Sequence, residues 1–169
     1  YVGLGGSATN DGGIGIAHAL GYRFLDEKGA VLEPVGKNLI FVRKIDVSKV
    51  SSFLEEVSFF AVNDVSNPLF GAEGAAFVYA KQKGATSDTV IKLDNGLRNL
   101  NKVVKDQFGK DNAILPGAGA AGGTAFGLKS FFNADFLHGI DFIIKLSGIE
   151  PMLVADTFDY IITGEGKLD

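Results

Sequence analysis

Glycine is concentrated in three stretches of this chain: residues 3–15, residues 117–127, and Gly164 with Gly166. Each stretch follows a short apolar run, namely Val2-Gly3-Leu4, Ala113-Ile114-Leu115 and Tyr160-Ile161-Ile162. An apolar run feeding a glycine loop is the order produced where loops leave the ends of strands in an α/β sheet. Three such loops are expected to converge on one sheet edge.

The segments between the loops fit that plan. Residues 22–26 and 30–33 flank Glu27-Lys28-Gly29 and read as a hairpin closed through a glycine turn. Residues 57–62 form a β-rich run ending at Asn63-Asp64. The clearest helix starts at an N-cap near Ser87 and sets Val90, Leu93, Leu97, Leu100, Val104 and Phe108 at three- and four-residue steps before Gly109 stops it. Shorter helices are expected over 13–20, 73–81, 124–132 and 140–146. A hairpin combined with strand-loop-helix units predicts an α/β fold with a mixed β-sheet flanked by helices and glycine-rich loops at the strand ends. With 169 residues, 46% of them hydrophobic and 21% charged, the chain is the size of a single α/β domain spanning 1–169.

Charge and composition narrow the chemistry. The formal net charge is −4, with no lysine- or arginine-rich cluster to track a phosphate backbone, so nucleic acid is not an expected partner. No apolar run approaches the roughly 18 residues that cross a bilayer, so a membrane is not expected either, and the sequence reads as cytoplasmic. The absence of cysteine excludes disulfides, thiolate zinc sites and cysteine nucleophiles. With only His18 and His138, any metal must be held by oxygen. The chain opens without methionine inside an apolar run and stops in a glycine-acid loop, which reads as a cut at both ends.

In the first loop Gly5, Gly6, Ser7, Thr9, Asn10 and Asp11 combine exposed backbone N–H groups, hydroxyls, an amide and a carboxylate. That composition suits an anion or metal cradle, while Asn10-Asp11-Gly12 alone would also make an ordinary turn into a helix. The second loop, with Gly117, Gly119 and Gly122, matches the dinucleotide-binding spacing, but Pro116 interrupts its junction and no acid stands at a strand end at the required offset. The phosphate loop GxxxxGK[ST] and the protein-kinase motifs do not occur.

Carboxylates are the remaining catalytic candidates. Asp11, Asp64, Glu165 and Asp169 follow strand-like segments and sit in glycine- or asparagine-rich loops. Acids so placed suit metal-assisted phosphoryl transfer, where positioning and charge neutralisation dominate. Lys83, in Gln82-Lys83-Gly84, is the best point charge for a phosphate or carboxylate.

Five motifs in order resemble the bacterial glycerate kinases. They are residues 5–13, Asp64-Val65-Ser66-Asn67-Pro68-Leu69 with Gly71 and Gly74-Ala75, Gln82-Lys83-Gly84-Ala85, residues 117–123, and Thr163-Gly164-Glu165-Gly166 with Asp169. The resemblance implies transfer of the γ-phosphoryl of ATP to D-glycerate with Mg2+. It implies a two-domain protein in which this segment is the inserted domain, a flavodoxin-like domain lies outside this chain, and the segment alone is inactive. It places Asp11, Asp64, Glu165 and Asp169 in an acidic cleft, with Asp11, Glu165 and Asp169 toward the metal, and leaves open which acid is the base. Asn63 stands where the family motif carries cysteine. A noncatalytic carboxylate-binding or assembly module and a nicotinamide oxidoreductase are the competing expectations.

Overall fold

The computed structural model of this protein describes residues 1–7, 9–154, 158–160, 162 and 164. The chain runs through β1 (Val2–Gly3), α1 (Ile14–Ala19) and β2 (Arg23–Leu25). A 3₁₀ segment, Gly36–Phe41, leads to β3 (Lys44–Asp46), and a second, Ser52–Glu56, leads to β4 (Phe60–Asn63). Then follow α2 (Ala75–Tyr79), a 3₁₀ turn at Lys81–Lys83, the long α3 (Ser87–Phe108), α4 (Ala120–Phe132), β5 (Asp135–His138), α5 (Gly139–Ser147) and α6 (Glu150–Val154).

Two sheets form. The first is parallel, in the order β1-β4-β5, with Val2 opposite Ala61 and Phe60 opposite Asp135. The second pairs β2 with β3 antiparallel. The expected mixture of pairings is therefore present, divided between two sheets. All three parallel strands end on one edge, where β1 runs into the first glycine loop, β4 into Asp64 and β5 into α5.

Alternation along β4 sorts its side chains onto two faces. Ala61 packs with Leu128 of α4 and Ala134, and Phe59 stacks on Phe132 at 4.9 Å. On the other face Tyr1 lies between Phe60, at 4.7 Å, and Phe142 of α5, at 4.9 Å. The outer side of α5 leaves Ile140, Ile143 and Leu146 exposed.

The main core gathers around α3. Thr86, one residue before the expected cap, accepts the N–H of Thr89, and Gly109 closes the helix in the left-handed conformation at φ 70°. Val90, Leu97, Leu100 and Val104 are fully buried, together with Phe24, Leu39, Ile45 and Phe126. Each such side chain contributes about 1.5–3 kcal/mol relative to exposure. One acid lies among them: Asp94 accepts the N–H of Gly71 at 2.7 Å and pairs with Arg98 at 2.7 Å, and Arg98 lies 4.5 Å from the centre of the Phe70 ring.

The expected hairpin closes through Gly29, with the Asp26 carboxylate accepting from Lys28 and Ala30, the Asp26 N–H donating to Ala30 and the Leu32 N–H to Phe24 across a Leu25–Val31 bridge. On its other side β2 pairs with β3, which Gln107 of α3 fixes against the core by both donating to and accepting from the backbone of Ile45. One expectation is corrected: 113–115 is not a strand. It runs through turns, with the carbonyl of Ala113 accepting from Leu69, so the second glycine loop does not leave a strand end. The apolar run at 160–162 falls partly outside the described residues, and Glu165 and Asp169 wholly so.

Candidate active site at the carboxyl edge of the parallel sheet

Leu4 extends β1 by donating to Val62 at 2.8 Å, and the chain then turns at Gly5-Gly6, where Ser7 donates back to Gly5. Nothing lies within 4 Å of where a side chain would project from Gly5 or Gly6, so their backbone faces open space. Among the described residues Ser7 buries its hydroxyl without a hydrogen-bond partner, and Asn10 both amide atoms. A buried polar atom left unpaired costs about 1–3 kcal/mol, so this loop favours a ligand that can pair with it.

Asp11 caps the start of α1. Its Oδ1 accepts from Gly13 at 2.9 Å and its Oδ2 from Gly15 at 3.1 Å, so both oxygens are oriented by backbone N–H groups. Asp64, one residue past β4, turns to a different helix: its Oδ1 accepts from Gly139 at 2.8 Å and Ile140 at 3.3 Å, at the start of α5. His138 Nδ1 stands 3.5 Å from Asp64 and 3.6 Å from Asp141.

Lys83 joins the loops. Its Nζ donates to the carbonyl of Thr9 at 2.8 Å, tying the turn after α2 to the first glycine loop. Burial pushes the Lys83 ammonium below its ordinary pKa of 10.5, and the nearby Asp11 charge acts in the opposite direction. On one side of Lys83 is a cavity of about 310 Å³, bordered by Gly5, Gly6, Asp64, Tyr79, Gln82 and Ala121. On the other is one of about 570 Å³, bordered by Asn10, Asp11, Gly36, Lys37 and Thr89.

The second glycine loop is built against the first. Ala121, Gly122 and Gly123 take left-handed angles at φ 51°, 68° and 88°, and the carbonyl of Gly122 accepts from Gly12 at 3.1 Å. A side chain on Gly122 would run into the backbone of Thr9 and Asn10, one on Gly119 into Pro68, and one on Gly117 would lie 2.9 Å from Asn63 Oδ1. These three glycines thus permit close packing of protein on protein on the side where a side chain would project.

Of the acids expected to meet, Asp11 and Asp64 come to opposite sides of Lys83, and Glu165 and Asp169 lie outside the described residues. Among the described residues no group of three histidines or acids is arranged to hold a metal. Sequence reading passed over Tyr79 and gave Gln82 no role of its own. Tyr79 stands three residues before Gln82 and four before Lys83, the helical spacing that can set it beside them.

Comparison with known proteins decides the ancestry. The glycerate kinase family model matches residues 1–169. The chain belongs to that family. A glycerate kinase of Halalkalibacterium halodurans is 44% identical over 99% of this chain and 44% of its own length. The glycerate 2-kinase of Escherichia coli is 37% identical, over 99% of this chain and 44% of its own. A crystal structure from Salmonella typhimurium, assigned provisionally as a glycerate kinase 2, superposes with a TM-score of 0.83 at 37% identity, covering 89% of this chain and 40% of that one. The chain therefore spans less than half the length of these glycerate kinase relatives, and its α/β architecture is theirs.

Proposed function

We propose that this chain forms part of a cytoplasmic ATP-dependent kinase that phosphorylates D-glycerate to a phosphoglycerate. The observation that carries the reading is the position of Lys83, a half-buried cation between two cavities that each present one acid of the family motifs. Phosphoryl transfer requires two anionic substrates to be brought together, and a fixed cation between them lowers their repulsion.

In this reading the glycerate hydroxyl oxygen bonds to the γ-phosphorus, its proton passes to Asp64, and the bond to the bridging oxygen breaks with its electron pair leaving on ADP. Asp64 suits the base because only its Oδ1 is engaged by described groups. Asp11, oriented through both oxygens, suits the magnesium that accompanies ATP, with Glu165 and Asp169 as the further ligands. Gly5, Gly6 and Lys83 border the smaller cavity and Thr9, Asn10 and Lys83 the larger, with Ser7 in the loop that joins them, whereas Gly117, Gly119 and Gly122 hold the loops in register.

The reading includes a second, flavodoxin-like domain supplied by the rest of a longer polypeptide. The greater length of the relatives and the exposed apolar side of α5 support it. A coupled assay with ATP, magnesium and D-glycerate, run on the full-length protein and on residues 1–169 at equal concentration, is the test. Turnover is expected from the full-length protein only. Turnover by the 169-residue chain within about tenfold, some 1.4 kcal/mol of barrier, would show that it needs no second domain. No turnover by the full-length protein would remove the kinase reading and leave a binding module.

A further inference from the structure

The two cavities beside Lys83 differ in what they offer a ligand. The smaller is lined by Gly5 and Gly6, with open space before their backbone, and by Gln82, Lys83 and Asp64. Donors and a cation together with a carboxylate match a molecule that has an acid group and a hydroxyl a few bonds apart. Its volume of about 310 Å³ sits at the lower limit of small-molecule pockets, which run from about 300 to 1,000 Å³.

The larger cavity is lined by two lysines, Lys37 and Lys83, together with Asn10, whose buried amide has no partner among the described residues, and Thr89. Lys37 has only a long, exposed pair with Glu33 at 3.8 Å among the described residues, so its ammonium is free to turn to another anion. Asp11 lies in the same cavity and would repel a bare polyphosphate. A polyphosphate carrying a divalent cation removes that repulsion, because the cation faces the carboxylate while the phosphate oxygens face the lysines.

We propose that Lys83 is shared by two subsites of different chemistry: the smaller cavity takes the carboxylate end of the hydroxy acid, with Gln82 a specificity-determining residue, and the larger takes the metal-bound polyphosphate, with Lys37 as its second cation. This division rests on the kinase reading. It places the transferred phosphoryl group at the wall the two cavities have in common, where the Lys83 charge meets both the attacking and the leaving oxygen.

Steady-state kinetics of the full-length protein, with each substrate varied in turn, separate the subsites. Gln82→Leu is expected to raise KM for D-glycerate by about tenfold or more and leave KM for ATP within about twofold, and Lys37→Met to do the reverse. Both side chains are exposed, so neither change threatens the core. Calorimetry with magnesium and inorganic tripolyphosphate gives a readout that needs no turnover. Lys37→Met should weaken that binding by about tenfold and Gln82→Leu should leave it alone. A reversed pattern, both KM values rising together in either variant, or no effect of either change overturns the division. If the unmodified protein turns over no glycerate, the kinase reading fails, and the tripolyphosphate measurement still decides whether the larger cavity holds polyphosphate.

Discussion

Asp64, at the end of the central parallel strand, accepts the backbone N–H of Gly139 at 2.8 Å and so caps a helix 75 residues further along the chain. Its Oδ1 takes the N–H of Ile140 as well, leaving Oδ2 without a described partner. One side chain is thus held by a helix start while it lines the cavity beside Lys83.

That double engagement separates two substitutions. Asp64→Asn keeps an oxygen for the α5 cap and removes the proton acceptor. It is expected to leave the denaturation midpoint nearly unchanged while turnover of the full-length protein falls by about a hundredfold or more. Asp64→Ala removes the cap too and should cost a further 0.5–2 kcal/mol or so of stability in urea unfolding. Near-normal turnover by the Asn variant would take Asp64 out of the base role.

The interlock of the glycine loops makes Gly122 intolerant of any side chain. At φ 68° an alanine is strained by about 1–2 kcal/mol, and its methyl group also meets the Thr9 and Asn10 backbone. Gly84, at φ 92° with open space around it, carries the conformational strain alone. Gly122→Ala should therefore destabilise clearly more than Gly84→Ala when both are measured by denaturant unfolding, and equal effects would show that the loops can part at little cost.

The lowered pKa of Lys83 has a signed consequence. Between its folded value and 10.5 the unfolded chain binds more protons than the folded one, so stability rises with pH across that window, and the penalty is complete below the folded value. Lys110, lowered first by burial and then by Lys129, acts with the same sign. Binding of an anion at Lys83 moves the opposite way, because the neutral amine no longer attracts it. KM for glycerate should climb at alkaline pH, beginning below 10.5, and Lys83→Met should abolish that limb of the profile.

A truncation in the core tests the packing beneath the site. Leu97 is fully buried, and its methyl groups lie beneath Gly12 and Gly123 where the two loops meet. Leu97→Ala should cost about 2–5 kcal/mol in unfolding free energy. It should also loosen both loops, read as faster amide exchange at Gly12 and Gly123 than in a Val103→Ala control on the same helix.

Local signals made α3 legible in the sequence: a hydroxyl residue at its start, a complete apolar stripe and a glycine at its end all act within a few residues of one another. The first glycine loop and the acids at 11 and 64 were legible for the same reason, since turn chemistry is short-range. What sequence reading missed depends on partners far along the chain. The partner of β2 was hidden because it is set by Gln107, 62 residues beyond Ile45. The run at 113–115 resembles a strand in composition, but the backbone of Leu69 captures Ala113 before a sheet can. The division of the acids by Lys83 was equally hidden, because it follows from a side chain reaching 74 residues back to Thr9.

The hydrogen bond from Gly12 to Gly122 also bears on the order in which this protein can assemble. Helix α3 needs only neighbouring residues to begin forming, whereas the loop contact must close a chain segment of more than a hundred residues, and the entropy of that closure has to be met before the contact gives anything back. A partly folded chain can therefore hold much of its helical framework while the edge that faces substrate is still open. A ligand that binds this edge is therefore expected to act on late steps of refolding and to leave the early helical ones at their own pace.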